Sequence, residues 1–225
     1  PNNIVNMALL AGCDVFAITD HNSCKNAPAV LKAAERAGLK AIPGMELCSS
    51  EEAHVVCLFE SIEAAMDFDS YVHKNMMLID NDPSAFGEQI IMDENDNITG
   101  CENKLLIVSS DISITDISDV VRGFNGVAFP AHVDRKSFSI INSLGVITDE
   151  CGFKCAELTY NCDYMEMLKT NPELEKYKIL RNSDSHYLET LADKKCRLKS
   201  DRLHKEFSSR DIISMLSLSD FSMDG

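Results

Sequence analysis

Short apolar runs that end abruptly in histidine, aspartate or glutamate constrain this chain more than any other feature. Asp14–Thr19 runs into Asp20-His21-Asn22-Ser23, and Leu39–Ile42 runs into Pro43-Gly44-Met45-Glu46. His54 opens the run HVVCLF, and Gly126–Phe129 leads into Pro130-Ala131-His132. Cys155–Leu158 is a further short run, and Lys178–Arg181 ends in Asn182-Ser183-Asp184-Ser185-His186. Each reads as a β-strand. Helix-like stretches lie between them. Residues 1–12 begin at Pro1, stop at Gly12 and place Ile4, Met7, Ala8 and Ala11 on one face. Residues 27–37 stop at Gly38, and residues 61–74 form a third stretch. Strand–helix alternation predicts an α/β fold with a parallel sheet or barrel. In a barrel of that kind, residues just past the strand ends build the active site.

Residues 80–115 break the rhythm. Gln89–Met92, the polar Asp93–Asn97 and the apolar Leu105–Val108 predict a hairpin-like insertion. The polar stretch looks superficially like a calcium loop, but Ile98 holds the glycine position and Lys104 the closing glutamate position. A solvated turn fits better. Without a repeat or a clear linker, residues 1–225 read as one domain carrying this insertion.

Neutral imidazole with carboxylate suits zinc, manganese or iron. Singly, each residue has an ordinary explanation. Asp20 and Asp184 could cap helices, and Glu46 could be a loop residue. It is the joint placement of Asp20-His21, Glu46, His132 and Asp184/His186 that points to a metal centre. His73 and His204 sit in polar, helix-like surroundings and read as surface residues. Arg135-Lys136, just past His132, is a candidate for holding a substrate phosphate or a solvent-facing helix start.

Net charge is −15, which predicts no generic nucleic-acid binding. Nine cysteines without a CxxC pair fit buried thiols in a reducing, cytoplasmic compartment, so the sequon Asn97-Ile98-Thr99 is incidental. No apolar run is long enough for a membrane span, and no signal peptide is evident.

Taken in order, Ile18-Thr19-Asp20-His21, Pro43-Gly44-Met45-Glu46, His54, Pro130-Ala131-His132 and Asn182–His186 resemble the motifs of the PHP (polymerase and histidinol phosphatase) family of metal-dependent phosphoesterases. The resemblance covers roughly residues 1–190, outside the 80–115 insertion. It implies a distorted (β/α)7 TIM-like barrel with up to three divalent ions at one face. Glu46 would bridge two ions, and His54 and His132 would ligate one with it. Asp184 would ligate or bridge, and His21 and His186 would share a further ion. Asp20 would orient a ligand, so Asp20, Glu46 and Asp184 are the candidate catalytic carboxylates. The family opens with a strand bearing His-x-His, which this chain lacks, so an upstream strand is expected in the full gene product. The function implied is hydrolysis of a small phosphorylated metabolite or nucleotide by metal-activated water. The alternatives are a non-catalytic metal-stabilised binding module and a metal-dependent amidohydrolase. The sequence implies no oligomeric state.

Overall fold

A computed structural model describes residues 1–192, 197–200, 207–219 and 221–224. His204 lies outside the described residues. The chain begins with α1 (Asn2–Leu10), β1 (Val15–Ile18), α2 (Ala27–Arg36), β2 (Lys40–Cys48), β3 (His54–Phe59) and α3 (Ile62–Lys74). A short α4 (Pro83–Phe86) precedes the strands β4 (Ile90–Met92) and β5 (Ile98–Cys101). Then come α5 (Ile114–Gly123), β6 (Gly126–Pro130), α6 (Ile140–Leu144), β7 (Cys155–Thr159), α7 (Tyr164–Thr170) and β8 (Lys178–Asn182). The described chain closes with α8 (Leu188–Ala192), β9 (Arg197–Lys199), α9 (Ser209–Ser217) and β10 (Ser222–Asp224). Among the described residues, no helix is long and apolar enough to cross a membrane.

The fold is mixed α/β, but its pairing is not that of an all-parallel sheet. The main sheet runs β1-β2-β3-β6. β1 and β2 are parallel, whereas β2–β3 and β3–β6 are antiparallel. β7 and β8 form a separate parallel pair, and β9–β10 a separate antiparallel one. No closed ring of strands forms among the described residues. The antiparallel pairing of β2 with β3 follows from the short link between them. Only Ser49–Ala53 separates them, and such a link makes a hairpin, because a parallel crossover needs a dozen residues or more.

β2 is twice the expected length because it continues through Pro43-Gly44. Pro43 is the last residue paired to β1, and Gly44 the first paired to β3, so the missing N–H falls where the strand changes partner. Gly44 is required there. A Cβ would stand 2.7 Å from the Cys57 carbonyl oxygen and 2.8 Å from Leu58 Cδ2.

β3 is buried on both faces, which explains an apolar run without a polar residue. Val55, Cys57 and Phe59 pack with Phe68 and Val72 of α3 and Ile117 and Val121 of α5. Val56 and Leu58 pack with Ile212, Ile213 and Leu216 of α9. Helices α3 and α9 are fixed at their starts. The Ser61 side chain accepts from the Ala64 amide, and Ser208 and Asp211 form a reciprocal cap.

The break in rhythm at 80–115 corresponds to the β4–β5 hairpin, and Asp93–Asn97 is its turn. Asp93 Oδ1 accepts from the amides of Asn95 and Asn97, a side-chain-closed turn that needs no ion. The hairpin is docked against the front of the chain. Asn26 Oδ1 accepts from the Met92 amide, and Lys25 pairs with Glu102. The described cysteines are all free thiols.

Candidate metal centre

The antiparallel pairing brings distant segments to one edge. β3 starts beside the end of β2, with His54 opposite Cys48. β6 ends beside the start of β3, with Pro130 opposite Val55, and the Ala131 amide donates to the His54 carbonyl at 3.0 Å. The chain after β1 rejoins β2, where the Glu46 amide donates to the Asp20 carbonyl and the Asn22 amide to the Glu46 carbonyl, both at 3.0 Å. Glu46 therefore lies within a strand, not past its end, and its side chain faces three imidazoles. His21 Nδ1 is 3.1 Å from Oε2, His54 Nδ1 3.4 Å from Oε1, and His132 Nε2 3.3 Å from Oε1. Ring centroids are 5.1 Å apart for His21–His54 and 5.4 Å for His54–His132.

Burial would push the Glu46 carboxyl up, but the imidazoles of His132, His21 and His54 outweigh it and hold it far below the usual range. Glu46 is thus ionised at any ordinary pH. Its hydrogen bond pushes His21 up against the effect of burial. At His132 burial pulls down, and the Glu46 carboxylate more than reverses it.

The donor set fits a divalent ion. Donor atoms of His21, Glu46 and His54 lie within 4.8 Å of one another. Two atoms each ~2.1 Å from one ion at a tetrahedral angle are about 3.4 Å apart, close to the imidazole–carboxylate separations here. His54 Nδ1, which stands 3.4 Å from Glu46 Oε1, is buried without a hydrogen bond, a costly arrangement for a polar atom with no other role. Neutral imidazole with carboxylate suits zinc, manganese or iron.

Of the remaining expected residues, His186 comes near but stays at the rim. Its ring is 5.6 Å from that of His21, and Nδ1 is 3.7 Å from Asp184 Oδ1. The Asp184 carboxylate is paired with Arg135. The Asp20 side chain accepts from Asn26 at 3.3 Å and touches none of the histidines closely; burial raises its pKa against that bond. Arg135 lines the pocket with His21, Glu46, His54, His132, Ser137, Phe138 and His186, whereas the exposed Lys136 does not. The segment carrying Arg135 and Lys136 is a loop, not a helix start. The pocket measures about 220 Å³.

Three contributors escape a reading for strand-end ligands. Glu157, 3% exposed in β7, accepts from the His132 amide at 3.2 Å and from Asn182 Nδ2 at 2.6 Å. Burial pushes its carboxyl up to about 7, against the Asn182 bond and the His132 imidazole. The signal was a lone acid in the apolar run CAELT, since a buried acid needs partners. Asn22, 3% exposed, accepts from the Cys48 amide and donates to the carbonyls of Leu106 and Val108 at 2.7 Å each, tying the 80–115 segment to the site. Phe138 stacks on His54, with centroids 4.8 Å apart and planes 20° apart. Asn22, His132, Phe138 and Asp184 all have positive φ, 47°, 29°, 53° and 45°. Such strain in non-glycine residues gathers at functional sites.

Residues 1–113 match the model of the PHP domain. The chain belongs to the PHP family. The PHP chain matches no curated protein sequence. Its fold is similar to "the novel lesion-specific endonuclease" EndoQ from Pyrococcus furiosus, at TM-score 0.67 and 15% identity, covering 99% of this chain and 52% of that one. It is similar to endonuclease Q in complex with a 27-mer duplex bearing an abasic lesion, at TM-score 0.58 and 16% identity, covering 82% and 43%. A candidate metal-dependent phosphoesterase from Bifidobacterium adolescentis gives TM-score 0.57 and 15% identity, covering 96% and 89%. The chain thus spans about half the length of the two endonuclease Q chains.

These likenesses correct the expectation, drawn from net charge, of no generic nucleic-acid binding. A protein that shares this fold over part of its length binds a 27-mer duplex substrate. Net charge averages over the whole surface, whereas a phosphate meets the field of the site alone, where cations can dominate.

Proposed function

We propose that this PHP protein is a metal-dependent phosphoesterase that hydrolyses a phosphate ester with activated water. The observation that carries the reading is the convergence of three imidazoles on one buried, ionised carboxylate, Glu46, beside a guanidinium. His54, His132 and Glu46 would hold one ion, and His21 with Glu46, Asp184 and His186 would hold a second. When bound, divalent zinc, manganese or iron supplies Lewis acidity, lowering the pKa of water and offsetting charge on the phosphate.

The protein's own groups do the positioning. Glu46 stays ionised and fixes the three rings. Glu157 holds the His132 backbone and the Asn182 side chain in register. Arg135, now on Asp184, stands where its planar guanidinium can turn to a phosphate's oxygens. Asp20 acts from behind through the backbone bond to Glu46, and Lys136 takes no part. Water attacks phosphorus, and the leaving alkoxide takes a proton from solvent.

The pocket is small for a whole ligand. It suits the phosphate of a larger molecule, whether a phosphorylated metabolite or a nucleic-acid strand, and the likeness to endonuclease Q supports including the latter. We take residues 1–225 as one domain with 80–115 as an excursion anchored by Asn22. The main sheet and the β7–β8 pair belong to one distorted barrel-like arrangement, supported by the bond from the Val133 amide to the Glu157 carbonyl. Free thiols support a reducing, cytoplasmic setting.

The test is a panel of phosphomonoesters, phosphodiesters and oligonucleotides with metal-loaded, chelated and reloaded protein. Hydrolysis should vanish on chelation and return on reloading. Hydrolysis that survives both chelation and His132→Ala would refute the reading.

A further inference from the structure

Phe138 is a large aromatic residue that is 46% exposed at the mouth of the pocket. Apolar rings at such a position are ordinarily mobile or tucked away. This one is pinned. Its carbonyl accepts from the His54 amide at 2.9 Å, and the next residue, the fully buried Ser139, donates its hydroxyl to the Arg135 carbonyl at 2.7 Å. Its backbone holds φ at 53°, a conformation a bulky side chain rarely adopts. One face of the ring lies nearly parallel on the His54 imidazole. The other face has no aromatic partner among the described residues.

A residue needed only to shield His54 could be leucine and need not be held in this conformation. The arrangement is instead a two-ring column, rooted in the Glu46 cluster and open at its outer end. Rigid exposed rings beside a phosphate-binding site are how proteins receive nucleobases, because every base has a π-face. The pocket is too small for a complete nucleotide, so a base attached to a phosphate in it must lie at the rim, where Phe138 stands. Arg135, on the same loop, faces the phosphate end.

We propose that the open face of Phe138 is a stacking platform for the nucleobase next to the cleaved phosphate. The substrate is then a nucleotide unit, free or within a strand. The proposal rests on the phosphoesterase reading for its cleavage step, but base stacking can be measured without hydrolysis.

The chain contains no tryptophan, so Phe138→Trp installs a single fluorescent reporter at the platform. Zinc-loaded Phe138→Trp protein is titrated with a nucleoside monophosphate, a short single-stranded oligonucleotide and base-free ribose 5-phosphate. Quenching by a base-bearing ligand and not by ribose 5-phosphate is expected; whichever base-bearing ligand quenches names the source. An equal response to ribose 5-phosphate, or no response to any of the three, would overturn the proposal. Calorimetry with Phe138→Leu, which keeps an apolar cover on His54, gives the second measurement. The preference for the nucleoside monophosphate over ribose 5-phosphate should fall about tenfold from that of the unsubstituted protein, the scale of one base–aromatic stack. An unchanged preference would overturn the platform. Base-selective quenching without hydrolysis of any phosphate ester would count against the phosphoesterase reading alone.

Discussion

Glu157→Leu removes both carboxylate oxygens and should weaken the metal centre from behind. The carboxylate faces two donors, the His132 amide and Asn182 Nδ2, and one oxygen accepts from each. A leucine offers neither acceptor. The exposed Asn182 side chain can turn to solvent, but the buried His132 amide cannot. The substitution thus leaves the buried His132 amide unsatisfied, ~1–3 kcal/mol, and loses the Asn182 hydrogen bond, ~1 kcal/mol. Removing a buried acid relieves some desolvation, so the net cost should fall near the lower end, about 2 kcal/mol. For a chain of this size that lowers Tm by about 4–8 °C. The larger effect should be on metal. His132 owes its strained φ of 29° to this support, and losing such a partner typically costs about 10–100-fold in affinity. Competition with a fluorescent chelator gives the affinity, and differential scanning fluorimetry of the metal-free protein gives the stability. Unchanged metal affinity alongside the expected loss of stability would refute the claim that Glu157 acts on His132.

Other expectations follow from the same geometry. His132→Ala or Glu46→Ala should lower hydrolysis by at least about a hundredfold while the circular dichroism of the fold persists, since the loss is of charge stabilisation and not of the core. Gly44→Ala should destabilise by about 1–3 kcal/mol in a thermal melt, because the new methyl meets the Cys57 carbonyl at 2.7 Å. Asn22→Ala removes three hydrogen bonds around a buried position, and hydrogen exchange should rise across the 80–115 segment before the main sheet.

Much of the site was legible because its residue types are rare company for apolar strands. Asp20-His21 and His132 follow β1 and β6, His54 opens β3 and Glu46 lies near the end of β2, so a shared edge was enough to infer convergence. The direction of the strands was not legible. A five-residue link at Ser49–Ala53 fixes the hairpin, yet the apparent break at Pro43-Gly44 concealed that β2 runs on to meet it. Helix α5, Ile114–Gly123, was hidden behind the polar insertion; its start is set by Glu51, whose carboxylate accepts from the Ile114 amide at 2.9 Å, a contact 63 residues distant in sequence. Glu157 and Phe138 were missed for opposite reasons. One is an acid where partners from β6 and β8 were needed to justify it, and the other is a common residue made unusual only by its φ and its neighbour. Arg135 and Lys136 looked equivalent, and only the turn of the loop separates them.

Anomalous diffraction from crystals grown with zinc, manganese or iron tests the central claim most directly. A peak is expected within about 2.0–2.2 Å of a Glu46 oxygen and of nitrogens from His54 and His132, the distances of first-row metal ligands. Metal-soaked crystals without a peak there, in which the three histidines lie 3.1–3.4 Å from the Glu46 carboxylate, would show that the cluster is a buried ion-pair network and not a metal centre.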